Sequence, residues 1–166
     1  MNPTDFHFWL KILTTIFCGG VIGLERQLRG KPAGIRTSIL ICMGTCTYVS
    51  IGADIIGTVD PTRVLAQVVT GVGFIGAGVI MSKPGQESVV VGVTSAAIIW
   101  MLAAVGATIG LGRLDTAISL TLVAVGVLLG VELLESSFLK LRRGVHAKYR
   151  QVDDDSQENR KGPLSS

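Results

Sequence analysis

The stretch that decides the fold runs "FWLKILTTIFCGGVI-GLERQLRGKPAGIRT", residues 8–37. Its first half is apolar apart from Lys11. Its second half packs one acid, four bases, three glycines and a proline into fifteen residues, and then the chain turns apolar again. An apolar run of that length, closed by a basic edge and a Gly-Pro turn, reads as a helix that reaches a membrane boundary and turns back.

The rest of the chain repeats this pattern. Of 166 residues 48% are hydrophobic and 16% charged, with a mean hydropathy of +0.55. A soluble domain carries about 25% charged residues. The charges are also segregated, because long stretches between residues 37 and 134 hold almost none and the tail after 135 holds many. A soluble helical bundle would need polar faces to coat it, and these segments lack them. A hydrocarbon core of about 30 Å requires roughly 20 residues of helix. Five segments qualify, at about 8–24, 37–56, 64–81, 89–110 and 115–134. The breaks "LRGKPAG", "GTVDPTR", "SKPGQES" and "GLGRLD" between them are turn signals. The expectation is an all-α polytopic bundle over residues 8–135. A short N-terminus, 1–7, precedes it, and a charged, largely disordered tail, 136–166, follows. Residues 1–7 are too short and polar for a signal peptide, so the first span is expected to be retained.

Charge bias orients the bundle. Five spans put the loops 25–36 and 82–88 and the tail on one side, with twelve of the fifteen basic residues. The other side keeps Lys11, Arg63 and Arg113. The positive-inside rule then places the N-terminus outside and the tail in the cytoplasm. The basic residues thus serve orientation, and no nucleic-acid partner is expected. The lipid bilayer is the first partner implied. Lys11, one turn inside the first span, is expected to snorkel outward toward Asp54.

Few residues carry candidate chemistry. Cys18, Cys42 and Cys46 lie in apolar spans and read as small hydrophobes. His7 and His146 stand at opposite ends, so no His-based catalytic pair or zinc site is expected. No nucleophile-and-base pair is evident, which argues against an enzyme, and no cofactor is expected. No span carries an acid near its middle, which speaks against a simple ion-coupled carrier. Gly71, Gly73 and Gly76 match a dinucleotide fingerprint, but they lie inside a span rather than after a strand. Close helix packing is the better reading for Gly71, Gly73, Gly76 and Gly78, and for Gly19 and Gly23, which have GxxxG spacing. Gly106 and Gly110, and Gly126 and Gly130, share that spacing. The bundle is therefore expected to be tight, or dimeric through its glycine-rich faces. Gln67 is expected to face protein, and Trp100, mid-span, to be a packing residue. Thr70, Thr94 and Ser95 are expected to bond their own helix carbonyls.

The basic edge itself holds Glu25, Arg26, Arg29 and Arg36. Arg29 has favourable helical spacing from Glu25. An acid adds nothing to orientation, and the turn "GKPAGIRT" returns the chain beneath it. The expectation is a charge-paired cluster of Glu25, Arg26 and Arg36, with Arg29 on the wet side.

"GGVIGLERQLRGKPAGIRTSIL", "RVLAQVVTGVGFIGAGVIM" and "VVGVTSAAIIWMLAAVGATIGLG" resemble, in order and at normal spacing, the three signature blocks of the MgtC/SapB membrane-protein family. The resemblance covers about residues 10–135. It implies a five-span inner-membrane protein associated with growth in low magnesium and, in pathogens, with survival inside host cells. Two functions are implied: regulation of other membrane machines without catalysis, or transport of magnesium or another ion, as a dimer. The signature positions carried over are Glu25, Arg26, Gly34, Arg36, Thr37, Gln67, Gly71, Gly73, Phe74, Gly76, Gly78, Thr94, Ala96 and Trp100. Ser95 joins the functional cluster as their neighbour. Two departures stand out. Val91 occupies a place where many members have arginine, and many members end in a folded cytoplasmic domain where this chain has "RRGVHAKYRQVDDDSQENRKGPLSS".

Overall fold

A computed structural model describes residues 4–54, 61–82, 90–131 and 134. The tail 136–166 lies outside the described residues, as do most of the turn after the second helix and residues 83–89. By internal contacts the chain divides into a body through Val125 and a second unit from Gly126. Of the second, the described residues are the last turns of a helix and Leu134.

Among the described residues five helices make the fold: α1 Phe6–Leu28, α2 Ile35–Asp54, α3 Pro61–Ala77 and α4 Val93–Gly110, and α5 Leu114–Val131. Four of them, α1, α2, α4 and α5, are long and apolar enough to cross a membrane. At 17 residues α3 is the short one, about 25 Å at 1.5 Å per residue. The apolar run expected to be span three continues past Ala77 as a different structure. Two-residue strands, β1 Met81–Ser82 and β2 Val90–Val91, pair antiparallel there, Met81 with Val91 and Ser82 with Val90. The third and fourth spans are accordingly shorter than the hydropathy suggests. β-branched residues and two glycines at this junction favour a hairpin over continued helix.

Local chemistry sets the helix ends. Asp5 caps α1, its carboxylate accepting from the His7 N–H at 3.1 Å. At the other end Gly30 takes φ +61. The Lys31 N–H donates to the Arg26 carbonyl and the Gly30 N–H to the Gln27 carbonyl. This is a Schellman closure, which needs glycine at the left-handed position. It keeps α1 helical through Leu28, four residues beyond the expected end of the first span.

Glycines bring the helices together. A Cβ on Gly19 would stand 2.8 Å from Ile39 Cα, and one on Gly23 2.6 Å from Ile35 Cα. The α1–α2 contact is therefore backbone on backbone. Gly106 lies against the Cys42 carbonyl, and a Cβ on Gly110 would stand 2.8 Å from the Cys46 carbonyl. So α4 meets α2 the same way, and α2 is clamped between two glycine-faced helices. The core between them holds Cys18, Cys42, Cys46, Val105, Ile109 and Ala117. All three cysteines are free and buried. A second cluster, Ala33, Val72, Ile99 and Ala103, joins α3 to α4.

The glycines of "TGVGFIGAGVI" behave differently. Among the described residues nothing lies within 4 Å of a Cβ built on Gly71 or Gly73. Gly76 would meet Ala96 at ordinary contact distances, 3.6–3.8 Å. Among the described residues, then, Gly71 and Gly73 do not serve close packing within one chain. A Cβ on Gly78, past the end of α3, would meet the Ile75 and Phe74 carbonyls.

Candidate functional site

Because α1 runs on to Leu28, Glu25 and Arg26 lie inside the helix and turn into the bundle. Glu25 is 8% exposed and Arg26 4%. Arg26 Nη2 donates to Ser95 Oγ at 3.3 Å, in the first turn of α4. Its Nη1 stands 3.5 Å from Glu25 Oε2. Arg29 Nε approaches Glu25 Oε1 at 2.5 Å, one turn along α1. Neither contact to Glu25 has the alignment of a hydrogen bond, and both carboxylate oxygens and Arg26 Nε are buried without a hydrogen-bond partner among the described residues. The cluster is therefore ionic and tightly enclosed, held by charge more than by directed bonds.

Its composition corrects the expectation. Arg26 and Arg29, not Arg36, face Glu25. Arg36 and Thr37 are exposed at the start of α2. The physical reason is rotational phase. The turn at residues 29–34 sets the α2 backbone against Gly23, with Ile35 and Ser38 toward α1, which swings Arg36 outward. The turn is fixed by Ser38 Oγ, which donates to the Ala33 carbonyl at 2.8 Å, and by Ala33 itself at φ +64, a costly conformation for a residue with a Cβ.

The other sites expected from sequence divide. Ser95, 2% exposed, joins the buried cluster by accepting from Arg26. Thr94 beside it is exposed. Trp100 is 56% exposed and Phe74 84%, so Trp100 is not an internal packing residue: it looks outward from α4. Gln67 is exposed as well and lines a groove between α2 and α3. The groove has a volume of about 720 Å³, with walls of Thr37, Leu40, Ile41, Gly44, Thr45 and Tyr48 from α2 and Val64, Gln67, Val68, Gly71, Val72 and Ile75 from α3. Thr70 bonds its own helix, donating to the Ala66 carbonyl at 3.0 Å.

At the opposite end of the bundle, Lys11 turns inward instead of snorkelling out. Its Nζ donates to the Gly110 carbonyl at 2.8 Å and to Ser50 Oγ at 3.1 Å. Ser50 Oγ also donates to Gly110 O at 3.1 Å. A cation on the last carbonyls of α4 complements the helix dipole, and the bond satisfies a carbonyl the helix leaves open. Sequence reading missed Ser50 and Gly110 as its partners. A lone lysine in one apolar span and a helix C-terminus in another were the available signals. Among the described residues no three His, Cys, Asp or Glu side chains group as a metal site.

The MgtC family model matches residues 12–137. The chain is 47% identical over 115 residues to the protein named "Putative magnesium transporter YhiD" of Escherichia coli K12, covering 64% of this chain and 52% of that one. It is 42% identical over 139 residues to Protein MgtC of Brucella abortus, covering 81% and 56% respectively. It is 42% identical over 116 residues to Protein SapB of Bacillus subtilis, covering 65% and 49%. The chain spans about half the length of the curated relatives it matches. No solved structure gives a significant match. With a family match over most of its length and apolar helices that cross the membrane several times, this chain belongs to the MgtC family and is a multi-pass protein of the bacterial inner membrane.

Proposed function

We propose that this protein is a non-enzymatic accessory in magnesium-linked membrane physiology, acting by contact with other membrane proteins and with further copies of itself. Its N-terminus lies outside and its tail in the cytoplasm. One observation carries this reading: the signature positions that the family resemblance points to split into two groups. Glu25 and Arg26 are buried and hold α1 to α4. Phe74, Trp100 and Gln67 contribute little to the chain's own core and face outward at 84%, 56% and the rim of the groove. Large outward aromatics and an amide at membrane depth are what a helix–helix interface uses. The magnesium link rests on the name of the Escherichia coli relative.

That name also supports a second reading, a magnesium transporter or channel. The two readings differ on flux. Purified protein in sealed vesicles holding a magnesium-sensitive dye should give no entry above protein-free vesicles, while Phe74→Ala and Trp100→Ala should impair low-magnesium growth without loss of protein from the membrane. Magnesium entry that requires the protein and is lost in Arg26→Gln would overturn the accessory role.

A further inference from the structure

We propose that the α2–α3 groove is a binding site for one anionic phospholipid, with an acyl chain in the groove and the headgroup phosphate on Arg36. This goes beyond the accessory role and does not depend on it. Four observations carry it.

The first is shape. Along α2 the groove runs from Thr37 to Tyr48, a rise of roughly 16 Å at 1.5 Å per residue. That is about half of a hydrocarbon core of roughly 30 Å. The groove is thus one leaflet deep, the reach of an acyl chain, whereas a docked transmembrane helix would run the full thickness. The second is how the hollow is made. Gly44 and Gly71 line it from opposite walls, and a Cβ on either would meet nothing within 4 Å among the described residues. The missing side chains create the space. The third is polarity. The middle of the groove is aliphatic, and Tyr48 and Gln67 stand toward its far end. The fourth is charge. Arg36 precedes Thr37 at the near end and lies one helical turn before Leu40, so it continues the groove's rim toward the membrane surface. It is exposed, and among the described residues it makes no ion pair. A guanidinium there, with no described acid beside it, matches a phosphate and favours a headgroup of net negative charge.

The test uses the full chain, purified in a mild detergent and incubated with equimolar phosphatidylglycerol and phosphatidylcholine of identical acyl chains. Retained lipid is counted by native mass spectrometry. The expected result is about one lipid per chain with phosphatidylglycerol preferred about five-fold, the weight of one interfacial basic residue. Arg36→Gln should remove the preference and keep the lipid. Gly71→Leu, or Gly44→Leu should the first variant fold poorly by circular dichroism, should remove the lipid of either kind. Arg63→Gln, a cation at the other end of α3, should change nothing. Inorganic phosphate alone should not compete, since the chain in the groove supplies the affinity. Competition by free phosphate, an unchanged preference in Arg36→Gln, or full lipid retention in both glycine variants would each overturn the proposal. So would loss of a dimer, with lipid retained, in the glycine variants, since that result makes a second copy the occupant.

Discussion

Arg26 on α1 donates to Ser95 on α4 at 3.3 Å, so the guanidinium that ends one helix's buried face is moored in the first turn of another, 69 residues away. The same guanidinium lies 3.5 Å from Glu25. One arginine therefore answers a carboxylate on its own helix and a hydroxyl on its neighbour.

The first prediction follows from that double attachment. Arg26→Gln leaves Glu25 buried with less compensation and Ser95 without its donor. Breaking a buried pair on one side costs about 3–5 kcal/mol, and at 4% exposure Arg26 sits near that limit. Thermal unfolding of the detergent-purified protein should show a large loss. Ser95→Ala, which removes a single bond, should cost about 1 kcal/mol. Arg36→Gln should match the parent in stability. Equal melting temperatures for Arg26→Gln and Arg36→Gln would contradict the cluster described.

A second prediction separates the glycines. Gly23→Leu would drive a side chain into the α2 backbone at Ile35, and Gly106→Leu into the Cys42 carbonyl. Overpacking of a tight contact typically costs about 1–3 kcal/mol, and backbone that cannot yield should put both at or beyond the upper end. Gly73→Ala meets nothing and should be neutral or slightly stabilising, because alanine favours helix. The check is the yield of monodisperse protein after extraction. Poor yield from Gly73→Ala with normal yield from Gly23→Leu would reverse the assignment.

Lys11 supplies a third. Lys11→Met keeps the apolar stem and removes the donor to Gly110 and Ser50. Ser50 still donates to the Gly110 carbonyl, so the loss should fall at the lower end of the range for an unmet buried polar group, about 1–3 kcal/mol. Hydrogen exchange at the C-terminal turn of α4 should accelerate, while exchange around Glu25 stays as it was. Uniform acceleration through the bundle, or none, would show that Lys11 does not pin this helix end.

Topology is the fourth. A reporter enzyme active only in the cytoplasm should work when fused after residue 150 and fail in the 57–63 turn. The opposite pattern would overturn the orientation drawn from the twelve-to-three division of basic residues.

The amino-acid sequence alone was enough to give the all-helical membrane bundle, though not where each helix ends. Water is absent from the bilayer, so each span must be both continuous and apolar, and that requirement is written in one dimension. It also marked Gly19 and Gly23 as close-contact positions by their spacing, and Glu25 as an acid with no part in orientation. Which charges meet was set by the packing of the helices. Arg26, Arg29 and Arg36 are the same side chain within one short stretch, but each residue of helix turns about 100°. Extending α1 by one turn, through a Schellman closure at Gly30, carries Arg26 into the bundle. Setting α2 with Ile35 against Gly23 carries Arg36 out of it. The same phase turns Lys11 inward to α4 and Trp100 outward, because a side chain's direction depends on how whole helices pack, which no local pattern records.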